Sequence, residues 1–220
     1  MELSVAEVAQ QRGVSSRRVL QLIAGGDIFA RRVGGRWLIE ERETNKRPRL
    51  SRPMSHRMAW ALINLMSGQK PEDLDPTEYS RLRRRLGELV ERARIGEEIA
   101  AGLSSLLRAR GHVVFLRVQP ESLRDLREDS RLVLSGISDP RSGMSAGDEV
   151  EAYVRPADFD SVVSDWFLIE RTASSPNVLL HVADFTFAEA PLGLVIADLA
   201  DHARPREDGE AERLLASVEL

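Results

Sequence analysis

The sequence predicts an α+β protein with an N-terminal helical head, a helical bridge and a C-terminal α+β domain. Three observations predict this class. Short helical patterns and a glycine-marked hairpin share the start of the chain, longer helical patterns fill the bridge, and the last half repeats one apolar pattern at an interval of 36 residues. We expect the head over residues 1–43, a basic linker over 44–54, and a second domain over 55–220, in which the bridge spans 55–110 and the repeats and closing helices span 111–220.

Charge is distributed unevenly along the chain. The formal charge is −4, but residues 1–110 hold 21 basic and 14 acidic side chains, whereas residues 111–220 hold 10 basic and 21 acidic ones. The halves therefore carry +7 and −11. A basic half joined to an acidic half indicates a nucleic-acid-binding part and a second part with another task. The alternative is an uneven surface charge without functional meaning.

The composition excludes several classes of protein. No cysteine is present, so disulfides, thiolate zinc sites and cysteine nucleophiles are excluded. The N-terminal segment lacks the basic start and apolar run of a signal peptide, and no apolar stretch reaches the roughly 20 residues of a membrane helix. We expect a cytoplasmic protein without a membrane partner.

Two short helices separated by a glycine turn open the chain. Ser4 and Glu7 have the spacing of a capping box, and Gly13 is suited to end the first helix. Ser15 is suited to cap the second helix. This order of signals predicts a helix-turn-helix.

The second helix has one apolar and one polar face. At about 100° per residue, the side facing helix one carries Val19, Leu22 and Ile23, and the opposite side carries Arg17, Gln21 and Ala24, with Arg18 on the flank. Arg17 and Arg18 lie in the first turn, where the helix dipole disfavours a cation by a few tenths to about 1 kcal/mol. DNA phosphates would supply the missing negative charge, and arginine and glutamine can read base edges in the major groove.

A basic hairpin follows the second helix. Apolar residues at Phe29, Val33, Trp37 and Ile39 favour strands, and Gly34-Gly35 is a two-residue turn. A helix-turn-helix followed by such a hairpin is a winged helix-turn-helix, whose wing arginines bind phosphate or enter the minor groove. The predicted DNA-binding residues are Ser15, Ser16, Arg17, Arg18, Gln21, Arg31, Arg32 and Arg36, with additional phosphate contacts from Lys46, Arg47 and Arg49.

The segment from Leu3 to Glu41 resembles the helix-turn-helix of the MerR and excisionase group. This resemblance implies that the second helix and the wing read double-stranded operator DNA. The alternative is a small helical domain with a solvated basic face.

The bridge begins with a helix that is apolar nearly all round, near Trp60. Such a helix is buried in a core or covers a partner, so a homodimer stays open. A second helix starts at Asp75-Pro76 and carries a dense basic patch of Arg81, Arg83, Arg84 and Arg85. The patch is either a solvated face or an additional surface for nucleic acid or an acidic partner.

The acidic half contains two copies of a β-α-β unit. Val118 aligns with Val154, Pro120 with Pro156, Leu123 with Phe159, Leu126 with Val162, Asp129 with Asp165, Leu132 with Leu168, and Val133 with Ile169. Each copy reads as a strand, a proline-started helix and a strand. We expect the copies to share one small sheet with their helices on one face, followed by a strand at 177–184 and two closing helices.

No pattern for catalysis is present. The histidines His56, His112, His181 and His202 have no metal-ligand spacing, and no phosphate-binding glycine loop or nucleophile elbow occurs. The paired acids near Asp198 and Asp208 stand close to predicted helix ends, and capping explains Asp201 or Asp208. We expect no catalytic residue, no cofactor and no metal, and the alternative is an enzyme tethered to DNA.

The second half resembles actinobacterial antitoxins of the AbiEi type. The resemblance lies in the segments "RPMSHRMAWALINLMSG", "RLVLSGIS", "GDEVEAYVRPADFDSVV", "NVLLHV" and "APLGLVIADLADHARPREDGEAERLLA". It implies that the head represses its own operon and that the rear domain counters a nucleotidyltransferase toxin of the AbiEii type. The head is more similar to the MerR and excisionase group than to the usual head of that family. The main alternative is a one-component regulator whose rear domain senses a small ligand.

Overall fold

A computed structural model describes residues 2–11, 14–24, 28, 30–40, 52–145, 147–170 and 176–220. The chain forms two compact units, and the described residues of the first unit end at 40 while those of the second begin at 52. The protein is of the mixed α+β class, as the sequence predicts. Most of the predicted linker lies outside the described residues, so its boundaries stay predictions.

The first unit is a helix pair beside a small antiparallel sheet. Its elements are β1 (Glu2–Ser4), α1 (Val5–Gln11), α2 (Ser16–Ala24), β2 (Ala30–Val33) and β3 (Arg36–Glu40). The strand order is β1-β3-β2, with Leu3 opposite Ile39 and Val33 opposite Arg36. The strand β1 was not predicted, because Leu3 and Ser4 also belong to the helix start. Ser4 does both tasks, since its backbone pairs with β3 while its side chain and Glu7 form the predicted capping box.

The core of the first unit joins both helices to the sheet. Val8, Val19 and Ile39 are fully buried, and Leu22 and Ile23 pack against them as predicted for the apolar face of α2. Burial of these side chains is the main stabilising term for so small a unit. The same core therefore holds the second helix and the hairpin in one compact body.

The second unit is larger and mixes helices with one sheet. Its helices are α3 (His56–Met66), α4 (Pro76–Arg94), α5 (Ala100–Leu107), α6 (Leu123–Arg127), α7 (Pro156–Asp165), α8 (Leu192–Asp201) and α9 (Pro205–Ala216), and its strands are β4 (His112–Arg117), β5 (Leu132–Leu134), β6 (Val150–Val154), β7 (Ile169–Glu170) and β8 (Val178–Val182). The predicted start of α4 is confirmed, because Asp75 caps it, Pro76 follows, and Glu78 completes a capping box. No helix among the described residues combines the length and the apolar character that crossing a bilayer requires.

The two β-α-β copies interleave in a five-stranded sheet of order β5-β6-β8-β4-β7. Each copy's second strand pairs antiparallel with the other copy's first strand, so that β5 lies beside β6 and β7 beside β4. This is the arrangement of a split β-α-β fold. The additional strand β8 is inserted at the centre, parallel to β6 and antiparallel to β4.

Equivalent acids of the two copies share one arginine. Arg131 pairs with Asp129 at 2.6 Å and with Asp165 at 2.7 Å, and the Trp166 indole donates a hydrogen bond to Asp129 at 2.7 Å. This hydrogen-bonded pairing with Arg131 lowers the pKa of Asp129. The repeated aspartates are thereby given a structural role at the ends of α6 and α7.

The two faces of the five-stranded sheet pack against different groups of residues. In β6, Val150, Ala152 and Val154 belong to the apolar cluster that the repeat helices α6 and α7 share, as expected for helices on one face. Successive strand residues point to opposite faces, so Glu151 and Tyr153 point away from that cluster. Tyr153 belongs instead to a second core with α3, α4, α5, α8 and α9.

The helix α3 is part of this second core. Ala59, Leu62, Ile63 and Met66 are almost completely buried, which agrees with the core alternative for the apolar helix near Trp60.

Candidate nucleic-acid interface

The turn between α1 and α2 is fixed by local hydrogen bonds. The amide of Val14 donates to the carbonyl of Ala9 at 3.0 Å, and the Ser15 hydroxyl accepts from the amide of Arg18 at 3.2 Å. Ser15 therefore caps α2 as predicted. Gly13 lies outside the described residues.

The outer face of α2 carries uncompensated positive charge. Arg17, Arg18 and Gln21 are exposed, as are Ser15 and Ser16. No carboxylate of the described residues lies within ion-pairing distance of the Arg17 or Arg18 guanidinium. The cations therefore remain at the positive end of the helix dipole without a described anionic neighbour, and a phosphate group would remove the mismatch. The side chain of Ala24 lies outside the described residues.

The hairpin after α2 has the predicted two-residue turn. Gly34 and Gly35 have φ values of 55° and 82°, which is the combination that a type I′ turn requires and that glycine adopts without strain. Arg32 lies 5.9 Å from the Trp37 ring centroid, and its Nε donates to the carbonyl of Gly35 at 3.3 Å. The turn thus presents Arg32 on a rigid support.

The other predicted wing residues differ in exposure. Arg36 is exposed beside the turn, whereas Arg31 is half-buried. Phe29 and the predicted phosphate contacts Lys46, Arg47 and Arg49 lie outside the described residues. The structure therefore brings one set into a single compact unit, namely Ser15, Ser16, Arg17, Arg18, Gln21, Arg31, Arg32 and Arg36.

A buried polar cluster in the second unit has no counterpart in the sequence patterns. Its buried members are Arg110, Ser135, Glu151, Tyr153, His181 and Asp198, and it is completed at its edge by the half-buried His202 and the exposed Asp201. Arg110, 4 % exposed, pairs with the fully buried Asp198 at 2.8 Å and with Asp201 at 2.6 Å. Tyr153 and Ser135 donate hydrogen bonds to Asp198.

These contacts correct the predicted role of the acids. Asp201 does not cap a helix; it accepts hydrogen bonds from the side chains of Ser104 and Arg110. Asp208 is not a cap either, because it lies inside α9, where Arg204 occupies the N-cap position. The capping interpretation was wrong because it considered only neighbours in sequence.

Two histidines share the Glu151 carboxylate. His181 Nε2 lies 2.9 Å and His202 Nε2 lies 2.8 Å from the Glu151 oxygens. Burial opposes ionisation of Glu151, but the two imidazoles outweigh burial and lower its pKa. Burial likewise opposes protonation of both histidines, yet Asp198 and Glu151 raise the pKa of His181, and Glu151 raises the pKa of His202.

Three of these side chains have the spacing of metal ligands. Glu151, His181 and Asp198 offer ligand atoms that lie within 4.8 Å of one another. Each of these groups already has a partner inside the protein, and the Arg110 guanidinium occupies the cation position beside Asp198. The donor set therefore fits a structural ion network better than a metal site.

No signal in the sequence joins these residues. Arg110 and Asp198 are separated by 88 positions and Glu151 and His202 by 51. The only available sign was in β6, where the charged Glu151 stands between the apolar residues Val150 and Ala152.

Comparison with known proteins identifies the first unit only. A family model described as "Helix-turn-helix domain" matches residues 2–43. No curated protein and no solved structure matches the chain. The match covers the two helices and the hairpin, and it confirms the predicted helix-turn-helix. The head of this protein is therefore a DNA-binding helix-turn-helix domain.

Proposed function

We propose that this protein is a transcriptional regulator whose head binds operator DNA through α2 and the wing. The observation that carries the proposal is the outer face of α2, where Arg17, Arg18 and Gln21 are exposed and no described carboxylate neutralises either arginine. Arginine pairs with guanine and glutamine with adenine from the major groove. Arg32 and Arg36 at the wing supply phosphate or minor-groove contacts.

The contact assignment is tested by the double variant Arg17→Ala/Arg18→Ala in a gel-shift titration on the fragment upstream of the protein's own gene. We expect affinity to fall by at least about tenfold, since a base contact contributes about 1–3 kcal/mol. Loss of one phosphate contact reduces the salt slope by about 1.

A charge-matched control separates local contact from net charge. Arg124→Ala/Arg206→Ala removes two exposed arginines from the second unit and is expected to leave affinity nearly unchanged. Equal affinities of the wild type and the Arg17→Ala/Arg18→Ala variant would remove the assignment of α2 as the reading helix.

We further propose that the regulator is the antitoxin of a toxin–antitoxin pair, which represses its own operon and counters a nucleotidyltransferase toxin. The resemblance of the second half to AbiEi-type antitoxins supports this part of the proposal. We propose no enzymatic activity, because the acids of the buried polar cluster already form ion pairs within the protein. A turnover screen with nucleotides tests this point, and detected turnover would contradict it.

The antitoxin role is tested by co-expression with the product of the neighbouring gene, scored for growth and for co-purification. An adjacent nucleotidyltransferase whose toxicity this chain relieves supports the role. The Arg17→Ala/Arg18→Ala variant should still restore growth if the second unit alone counters the toxin. A transporter or metabolic enzyme as neighbour, with no growth effect, would favour the ligand-sensing alternative.

The oligomeric state is part of the proposal. A single head offers few base contacts, so tight operator binding favours a dimer or several heads on repeated sites. Sedimentation of the chain with and without its DNA fragment measures this directly.

A further inference from the structure

An open cavity of about 620 Å³ lies within the second unit. One wall is formed by α3, and the other by the segment that follows β8, with Phe185 and Phe187. The volume is in the range of small-molecule sites, about 300–1,000 Å³. All of the described residues that line it belong to the second unit.

The α3 wall presents His56, Trp60 and Asn64. These residues are four positions apart, which places them on one face of the helix. The Trp60 indole donates to the carbonyl of Arg110 at 2.9 Å and to His56 Nε2 at 3.1 Å, so its ring is held in place.

The opposite wall is also aromatic. Phe185 and Phe187 stack on each other with centroids 4.5 Å apart, and the Phe187 centroid lies 6.5 Å from that of Trp60. All three rings are only half-buried, although they line a concave surface. Such ring faces offer a flat surface for stacking.

Asn64 supplies a polar group that the fold does not use. Its backbone carbonyl accepts from the amides of Ser67 and Gln69 and so fixes the turn after α3. Its side-chain amide makes no hydrogen bond with the described residues, although it is half-buried and lines the cavity. One amide presents a donor and an acceptor side by side, and the Gln69 amide adds a second such pair at the rim.

The charges around the cavity argue against a phosphorylated ligand. The Arg110 guanidinium is already paired with Asp198 and Asp201, and Asp184 adds a carboxylate to the lining. His56 Nε2 accepts a hydrogen bond from the Trp60 indole. A phosphate would therefore meet an acid and no available arginine or lysine among the described lining residues.

We propose that this cavity binds a neutral planar nitrogen heterocycle of the nucleobase or nucleoside class, stacked on Trp60 and Phe187 and read by the Asn64 amide. A purely apolar ligand would cover the half-buried Asn64 amide without pairing it. A planar heterocycle fits both the aromatic walls and the Asn64 amide, because its faces stack on the rings and its edge hydrogen-bonds with the amide. This inference does not rest on the antitoxin proposal.

The test uses the full chain and four probes, namely adenosine, guanosine, cytidine and uridine, titrated by isothermal calorimetry. We expect saturable binding of at least one nucleoside, weaker binding of its 5′-monophosphate, and no binding of ribose. Absence of saturation with all four nucleosides up to about 5 mM, a concentration that detects even millimolar Kd values, would overturn the proposal. Tighter binding of the monophosphate would overturn the assignment of a neutral ligand.

Variants identify the site. Asn64→Ala and Phe187→Leu should each lower the affinity for the nucleoside by about tenfold, since loss of a bidentate base contact or of stacking costs about 1–3 kcal/mol. Trp166→Phe and Phe167→Ala are controls in residues that do not line the cavity, and they should bind as the wild type does. Asn64 is the decisive position, because its side chain makes no hydrogen bond with the described residues, so we expect its replacement to leave the fold intact. Unchanged affinity in both Asn64→Ala and Phe187→Leu would overturn the proposal.

Discussion

Arginine side chains have opposite environments in the two units of this protein. In the head, Arg17 and Arg18 are exposed at a helix start, with no described carboxylate in ion-pairing distance. In the second unit, Arg110 is buried and pairs with Asp198 and Asp201. The charge of Arg110 is thus neutralised within the second unit, whereas no described residue neutralises the charges of Arg17 and Arg18.

This difference separates a structural charge from a functional one. A buried guanidinium destabilises the folded state unless carboxylates pair with it. The ion pairs of Arg110 are therefore needed for the stability of the second unit. An exposed guanidinium contributes little to stability and is available for a polyanion. Four predictions test this distinction between Arg110 and the arginines of the head, in order of decreasing expected effect.

Replacement of Arg110 should have the largest effect. Arg110→Met removes the guanidinium that pairs with the buried Asp198 and leaves that carboxylate with the more distant His181, at 3.7 Å, so we expect the free energy of unfolding to fall by about 3–5 kcal/mol. Urea unfolding measures it, with Arg83→Met on the exposed face of α4 as a control that should stay within about 0.5 kcal/mol. Adding Asp198→Asn to Arg110→Met should restore part of the loss, and a loss below 1 kcal/mol for Arg110→Met alone would contradict the structural role.

Tight helix packing in the second unit gives the next largest effect. A Cβ atom on Gly193 would lie 2.4 Å from the carbonyl oxygen of Ile63, which is backbone and cannot turn away. Gly193→Ala should therefore destabilise the protein by about 1–3 kcal/mol. The matched control Gly209→Ala has open space around it and should stabilise α9 by about 0.5–1 kcal/mol. Thermal unfolding of both variants checks the pair, and equal shifts would contradict the close approach of α3 and α8.

The buried histidines predict a pH dependence confined to the second unit, since the head contains none of the four histidines. The raised pKa values of His181 and His202 mean that their stabilisation is complete below the ordinary value of 6.5 and is lost as pH rises through the folded-state pKa. The lowered pKa of Glu151 acts in the other direction, and its stabilisation is lost as pH falls below the ordinary value of 4.5.

We therefore expect the unfolding midpoint to fall when the pH rises from neutral into the alkaline range, as measured by circular dichroism. His202→Gln should flatten this alkaline decline because it removes one of the two titrating groups. A decline of the same steepness in wild type and variant would show that His202 does not contribute.

The smallest effect concerns the head. Arg17→Ala/Arg18→Ala removes two cations from the positive end of α2, so we expect that helix to become more stable by a few tenths of a kcal/mol. Amide hydrogen exchange of Val19 and Leu22 measures the change. Faster exchange in the variant would mean that these arginines support the fold, and the contrast with Arg110 would fail.

Much of the local structure could be predicted from the sequence. The caps at Ser4, Ser15 and Asp75 and the turn at Gly34-Gly35 depend on residues no more than a few positions apart. The strand β1 was missed because three residues carry too short a pattern, and its partner β3 lies more than thirty positions away. Asp201 was misjudged for the same reason, since its partners Ser104 and Arg110 come from another part of the chain.

The helix-turn-helix with its basic hairpin, the helix starts and the two β-α-β copies could all be predicted from the sequence, because caps, turns and apolar periodicity are properties of neighbouring residues. Three features became visible in the tertiary structure alone. The strand β8 lies between the two copies, Arg110 pairs with Asp198 while Glu151 binds two histidines, and Trp60 and Phe187 line an open cavity together with Asn64. These features join residues separated by tens of positions, and packing of the whole chain, rather than any local preference, brings them together.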